Sequence, residues 1–224
     1  MASPVIVFDL DGTLVDTAPD LVDTLNVVFA REGLPAVPYE TARNLIGGGA
    51  RAMIERGIKA EGRKIVPAEV ERLFQDFISY YSEHLADRSR PFPGLTEALD
   101  RLAGDNWRFA VCTNKLEALS VNLLNRLGLT QRFAAICGQD TFGIQKPDPE
   151  ILRRTLAAAG GSPAKALMVG DSVNDVRTAR AAGVPIIAVD FGYTDRPIAE
   201  YEPDRVIGGF SDLPAAVAAI FPTN

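Results

Sequence analysis

Asp9 and Asp11 stand two residues apart, directly after the apolar run Pro4-Val5-Ile6-Val7-Phe8. A second acidic cluster, Gly170-Asp171-Ser172-Val173-Asn174-Asp175, follows a second apolar run, Ala166-Leu167-Met168-Val169. Between them, an apolar stretch ends in Thr113-Asn114-Lys115, and Gln145-Lys146-Pro147-Asp148-Pro149 precedes a helix-like segment. A core has no use for such residues. If the apolar runs are parallel strands, all four segments meet in the crevice outside the carboxyl ends of the sheet.

Gathered there, Asp9, Asp11 and Asp171 repel one another in a low-dielectric crevice. A divalent cation relieves this, and Mg2+ suits a site of one or two carboxylates completed by a substrate phosphate. Thr113 and Asn114 offer hydrogen bonds to phosphate oxygens, and Lys146 offers a point charge. Carboxylates, a metal and a lysine, with no histidine base, describe phosphoryl transfer through an aspartyl-phosphate. Asp9 ends its strand and is held rigidly, as a nucleophile must be. Asp11 lies on the turn, where it can protonate the leaving oxygen and then deprotonate the attacking water.

The elements that must position these groups alternate. Short apolar strands are expected at 4–8, 108–112, 133–137, 166–169 and 185–189, with an edge strand at 204–207. Helices are expected between them at 116–127, 148–159 and 174–182, and a closing one at 213–221. Such alternation predicts an α/β fold, an open doubly wound parallel sheet. The stretch after Asp16 reads as all helix, with apolar residues at three- and four-residue spacing, until the breaker cluster Pro91-Phe92-Pro93-Gly94. The reading is a catalytic core of residues 1–15 and 88–224 carrying an inserted all-helical cap of residues 16–87.

The 224 residues are 47% hydrophobic and 23% charged, as expected of a globular protein with a proper core. The net charge of -6 argues against nucleic acid or an anionic membrane as partner. Cys112 and Cys137 lie in or beside apolar runs and read as reduced core residues. Residues 1–4 lack the basic start of a signal peptide, and no apolar run approaches the ~18 residues of a membrane span. A cytoplasmic location follows as the expectation.

Phe8-Asp9-Leu10-Asp11-Gly12-Thr13-Leu14 resembles the first signature of the haloacid dehalogenase superfamily. Thr113-Asn114 resembles the second, Lys146-Pro147 the third, and the 170–175 segment the fourth. Within the superfamily the chain is most similar to the phosphoglycolate phosphatase group, on Asp16-Thr17-Ala18-Pro19-Asp20-Leu21, Thr113-Asn114-Lys115, Gly192-Tyr193 and Glu202-Pro203-Asp204. Val173 departs from that group, many of whose members carry a basic or polar residue there. The resemblance implies Asp9 as nucleophile and Asp11 as acid/base. It implies magnesium held by the Asp9 side chain, the Asp11 carbonyl and Asp171, with Asp175 near or behind the metal. It also implies phosphate contacts from Thr113, Asn114 and Lys146. The partner expected is a small phosphorylated metabolite, 2-phosphoglycolate first, and the chain a monomer or homodimer.

Other readings stay open on the residues alone. Pyrophosphate or another small phosphoester fits the core equally well, as does transfer to a sugar hydroxyl in the manner of β-phosphoglucomutases. Dehalogenation is disfavoured by Asp11, which dehalogenases lack, and a non-catalytic binding role by the intact set of polar segments. In the cap, Arg43, Gly48 and Arg51 are candidates for reaching a substrate carboxylate from a loop that closes over the crevice. The equal alternative is a flexible turn beside solvated charges. His84, the single histidine, reads as a surface residue. Lys115 reads either as a neutraliser of charge or as solvated, Asp148 as a helix-start residue, and Asn174 as a helix cap or part of the metal shell.

Overall fold

Val5, Ile6, Val7 and Phe8 are β-branched or aromatic, and all are fully buried. Such a run pairs on both edges and packs on both faces. In the computed structural model, which describes residues 4–194 and 196–222, it forms the central strand β1 (Val5–Phe8). Residues 1–3, part of the segment read as no signal peptide, lie outside the described residues. After β1 come β2 (Val15–Asp16), four helices α1 (Ala18–Arg31), α2 (Tyr39–Arg43), α3 (Gly49–Ala60) and α4 (Pro67–His84), and β3 (Arg90–Pro91). The remainder alternates as α5 (Leu95–Gly104), β4 (Arg108–Cys112), α6 (Glu117–Arg126), β5 (Ala135–Cys137), α7 (Pro149–Ala158) and β6 (Ala166–Gly170). It closes with α8 (Val173–Ala182), β7 (Ile186–Val189), β8 (Arg205–Ile207) and α9 (Leu213–Ile220).

Six strands form one parallel sheet in the order β5-β4-β1-β6-β7-β8. The chain moves outward from β1 through β4 to β5, then crosses back to β6 on the other side. The order reverses at β1, so the crevice opens at its carboxyl end. Successive strand residues face opposite layers. Ile6, Phe8, Val111 and Val169 pack with Leu99 of α5 and Val217 of α9. Val7, Ala110, Met168 and Ala188 pack with Leu152 of α7 and Val176 of α8. Cys112 and Cys137 are free and buried. The helix α5 was not anticipated, because Pro93-Gly94 reads as a breaker. Gly94 in fact starts it, at φ +79.

The chain leaves the core through β2 and returns through β3, which pair antiparallel. Asp20, 3% exposed, fastens the two crossings. Its carboxylate accepts from Arg88 N, Ser89 N at 2.8 Å and Ser89 Oγ at 2.6 Å. In the helical layer Leu25 and Phe29 of α1 meet Met53 and Ile54 of α3 and Leu73, Phe77 and Tyr81 of α4. A Cβ at Gly57 would come within 2.8 Å of the Phe29 ring, so α1 and α3 approach where no side chain stands. Among the described residues, no helix is long and apolar enough to cross a membrane.

Candidate active site

β1 ends at Phe8, and the next residue, Asp9, is fixed at once. Its N–H donates to Val169 O, and its Oδ1 accepts from Leu10 N at 2.7 Å. β6 runs beside β1 and delivers Asp171 to the same end. Asp171 accepts from Thr13 Oγ1 at 2.9 Å on one oxygen and from Tyr193 N at 2.7 Å on the other. A Cβ at Gly12 would lie 2.4 Å from Asp171 Oδ2, and Gly12 adopts φ +81. The turn therefore needs glycine on both counts.

Asp175 opens α8 and stands behind this pair. Ser172 and Asp175 make a reciprocal capping box. Asp175 Oδ2 accepts from Ser172 N and Ser172 Oγ, and Oδ1 from Lys146 Nζ at 2.6 Å. Lys146 Nζ also reaches Asp9 Oδ1 at 2.8 Å. Asp9, Asp171 and Asp175 can each place an oxygen within 4.8 Å of the others, and all three are buried.

The cost of this crowding appears in protonation. Burial, joined by the charges of Asp175 and Asp11 and opposed by Lys146, pushes Asp9 up from 3.8 to about 7. Burial and then the Asp9 and Asp175 charges hold Asp171 well above the usual carboxylate range. For Lys146, burial opposes the charge, but Asp175 and Asp9 outweigh it and hold the ammonium firmly charged. Carboxylates that resist ionisation together, offering only hard oxygen, fit a divalent cation.

The other predicted core residues lie at the same end of the sheet. Thr113 Oγ1 accepts from Lys115 N, which leaves its own hydrogen for an acceptor. Asn114 instead braces Lys146: its Nδ2 donates to Lys146 O at 3.1 Å, and its Oδ1 accepts from Lys146 N at 2.8 Å. The amide therefore aims the lysine, and Asn114 also lines the cavity over Asp9. Asp11 is held by Thr17 Oγ1 at 2.8 Å and by Lys115 Nζ at 2.9 Å. Lys115 is 7% exposed, which settles its open reading toward the charge-neutralising role. Asp148 caps α7 by accepting from Glu150 N, as expected. Asn174 donates to Gly47 O across the cleft, and Ser172 takes the cap position.

Above Asp9 and Asp11 lies a small cavity of about 50 Å³. Thr113, Asn114 and Lys115 enter it from the core, and Gly47, Gly49, Met53, Phe77 and Tyr81 from the helical layer. Neither cap arginine lines it. Arg43 turns toward the core and donates to the carbonyls of Phe191 and Gly192, with its guanidinium over the Tyr193 ring. Arg51 lies outside, paired with Glu71 at 2.9 Å and stacked on Phe74. Gly48 lines a neighbouring surface depression and not this cavity. Arg43 is thus engaged by backbone carbonyls and an aromatic ring, and Arg51 by a carboxylate and an aromatic ring. His84 is exposed and pairs with Asp87.

Tyr81 and Tyr193 were missed as site residues. Tyr193 ties three parts together: its N–H holds Asp171, and its hydroxyl donates to Asp16 and accepts from Ala18 N. The only sequence signal was the Gly192-Tyr193 pair.

The sequence profile of the haloacid dehalogenase-like hydrolases matches residues 6–189. A relative from Mesorhizobium japonicum is 50% identical over 97% of this chain and 96% of its own length. One from Agrobacterium fabrum is 48% identical over 96% of this chain and 92% of its own. Both are named phosphoglycolate phosphatase. A crystal structure from Haemophilus somnus 129pt, described as a predicted phosphoglycolate phosphatase, superimposes with a TM-score of 0.87 at 29% identity. That match covers 96% of this chain and 97% of the other. On fold, site layout and these matches together, the chain belongs to the haloacid dehalogenase-like hydrolase family.

Proposed function

We propose that this enzyme hydrolyses short phosphomonoesters, 2-phosphoglycolate foremost, with Asp9 as nucleophile and Asp11 as the proton carrier. The observation that carries the reading is the convergence of Asp9, Lys146 and Asp171 at the carboxyl end of β1, with Asp11 at the floor of the cavity. The names of the relatives near 50% identity support the substrate.

An Asp9 carboxylate oxygen attacks phosphorus as the ester P–O bond breaks. Asp11 gives its proton to the departing oxygen. Asp11 then takes a proton from water, the water oxygen bonds to phosphorus, and the Asp9–phosphorus bond breaks to release inorganic phosphate. Lys146 lies beside Asp9 and offsets charge on the phosphoryl oxygens, and the Thr113 hydroxyl offers one of them a hydrogen. Asp9, Asp171 and the Asp11 carbonyl would hold magnesium, with Asp175 behind them, since both its oxygens are engaged by Lys146 and Ser172. Such a cation supplies neutralisation of phosphate charge and fixes the phosphoryl group in line.

Phosphate release from a panel of 2-phosphoglycolate, pyrophosphate, a nucleoside monophosphate and a sugar phosphate tests this. Release of phosphate from 2-phosphoglycolate at the highest kcat/KM, stopped by a chelator, is the expected result. Release unaffected by chelator contradicts the metal assignment, and preference for another compound contradicts the substrate.

A further inference from the structure

Most of the cavity above Asp11 is apolar: Leu21, Ile46, Met53, Phe74, Phe77 and Ile78 all face it. On the side away from Asp9, Thr113 and Asn114, the Tyr81 hydroxyl and the Lys115 ammonium interrupt that wall. The Tyr81 hydroxyl, from α4, accepts from Lys115 Nζ at 2.9 Å. The same ammonium holds Asp11. Tyr81 is 1% exposed, and the hydrogen bond its hydroxyl makes among the described residues is one it accepts from Lys115, which leaves its own hydrogen to donate. A phenol buried this deeply normally finds a partner for its hydrogen. Burial, the largest influence, also pushes its pKa up to about 12, so it stays a donor at neutral pH.

A second source of donors faces the same space. Gly49 and Ala50 line the cavity and form the first turn of α3, a helix of 12 residues. That turn contains no acidic residue, and its Ncap, Gly48, has no side chain to cap it. First-turn N–H groups lack partners within their own helix and favour negative charge. Tyr81, Lys115 and the first turn of α3 thus line one volume together with Asp11, the group that handles the leaving oxygen.

We propose that Tyr81, held by Lys115 beside Asp11, recognises a carboxylate on the leaving group and makes the enzyme selective for short phosphomonoesters with an acidic tail. This rests on the phosphatase reading above and adds the residue that selects within that class. Tyr81 is a specificity-determining residue. An acceptor that enters the apolar cavity leaves its water behind, and the tyrosine, the lysine and the start of α3 replace it. A substrate lacking the carboxylate leaves those donors unmatched. The acceptor must be compact, because Lys115 sits on Asp11 and Asp11 is only two residues from Asp9.

The test compares kcat/KM for 2-phosphoglycolate and ethyl phosphate, two-carbon esters that differ in the carboxylate, using wild type and Tyr81→Phe in magnesium. Wild type is expected to prefer 2-phosphoglycolate by about 100-fold or more. Tyr81→Phe is expected to lose about 10- to 100-fold on 2-phosphoglycolate and about 2-fold or less on ethyl phosphate. Equal losses on both esters, or no loss on either, overturn the proposal, because a merely structural tyrosine would not discriminate between them. The wild-type comparison needs no variant and stands if Tyr81→Phe fails to fold. Equal wild-type turnover of the two esters overturns the selectivity alone, whereas phosphate release from neither overturns the hydrolase reading and the selectivity with it.

Discussion

Lys146 Nζ lies 2.8 Å from Asp9 Oδ1 and 2.6 Å from Asp175 Oδ1, with all three side chains buried. One ammonium thus neutralises a carboxylate at the end of β1 and another in the first turn of α8. These segments are far apart in the chain, and parallel pairing of β1 with β6 brings them together. Without that cation, Asp9, Asp171 and Asp175 would face one another unrelieved.

Lys146→Met is therefore expected to be more damaging than a surface lysine change. Removing one member of a buried ionic cluster costs about 3–5 kcal/mol. Unfolding in chelator at pH 7.5 should show a loss of that order. Lowering the pH to 5.5 should recover part of it, since the stranded carboxylates then bind protons. A loss below about 1 kcal/mol would contradict the structural weight given to this lysine.

Asp9 predicts a direction for the pH dependence of stability without metal. Its acidity in the folded chain is near pH 7, against 3.8 for an ordinary aspartate. Between those values the folded state holds a proton that the unfolded state has released. Stability contributed by that proton is present below about pH 4 and is lost as pH rises toward 7. In chelator, wild type should lose stability from pH 5 to 7.5 relative to Asp9→Asn, which has no such proton to release. Magnesium should remove the difference. Parallel pH profiles for the two proteins would contradict the shift.

Gly192 tests how tightly the Asp171 carboxylate is placed. A Cβ there would lie 2.2 Å from Asp171 Cβ. Gly192→Ala should cost about 1–3 kcal/mol of stability, as overpacking does. It should also weaken magnesium binding, read from the dependence of Tm on magnesium concentration. Gly104→Ala, whose Cβ meets nothing within 4 Å, is the control and should leave both unchanged. Equal behaviour of the two variants would show that Asp171 tolerates displacement.

Strand ends were legible because the apolar runs stop abruptly at Asp9, Thr113 and Gly170, and parallel topology sends all three to one crevice. The two-layer packing followed from short β-branched runs that could only be buried on both faces. What the chain order concealed was partnership across long separations. Lys115 reaches Asp11, 104 residues away, and Tyr81, 34 residues away. No local pattern distinguishes a lysine so placed from a solvated one. Arg43 and Arg51 were misplaced for the opposite reason. Their position near Gly47-Gly48-Gly49 suggested the cleft, but helix rotation turned Arg51 toward Glu71, and Arg43 found free carbonyls beside Tyr193. Charge near a loop does not fix which face of a short helix it occupies.

If the Asp9 carboxylate attacks phosphorus, phosphate release from 2-phosphoglycolate in magnesium must depend on it, and Asp9→Asn isolates that dependence. The amide keeps the shape of the side chain and removes its nucleophilic oxygen. The expected result is a folded protein whose kcat falls by at least about 10³-fold. A folded Asp9→Asn protein that retains substantial phosphate release would contradict it.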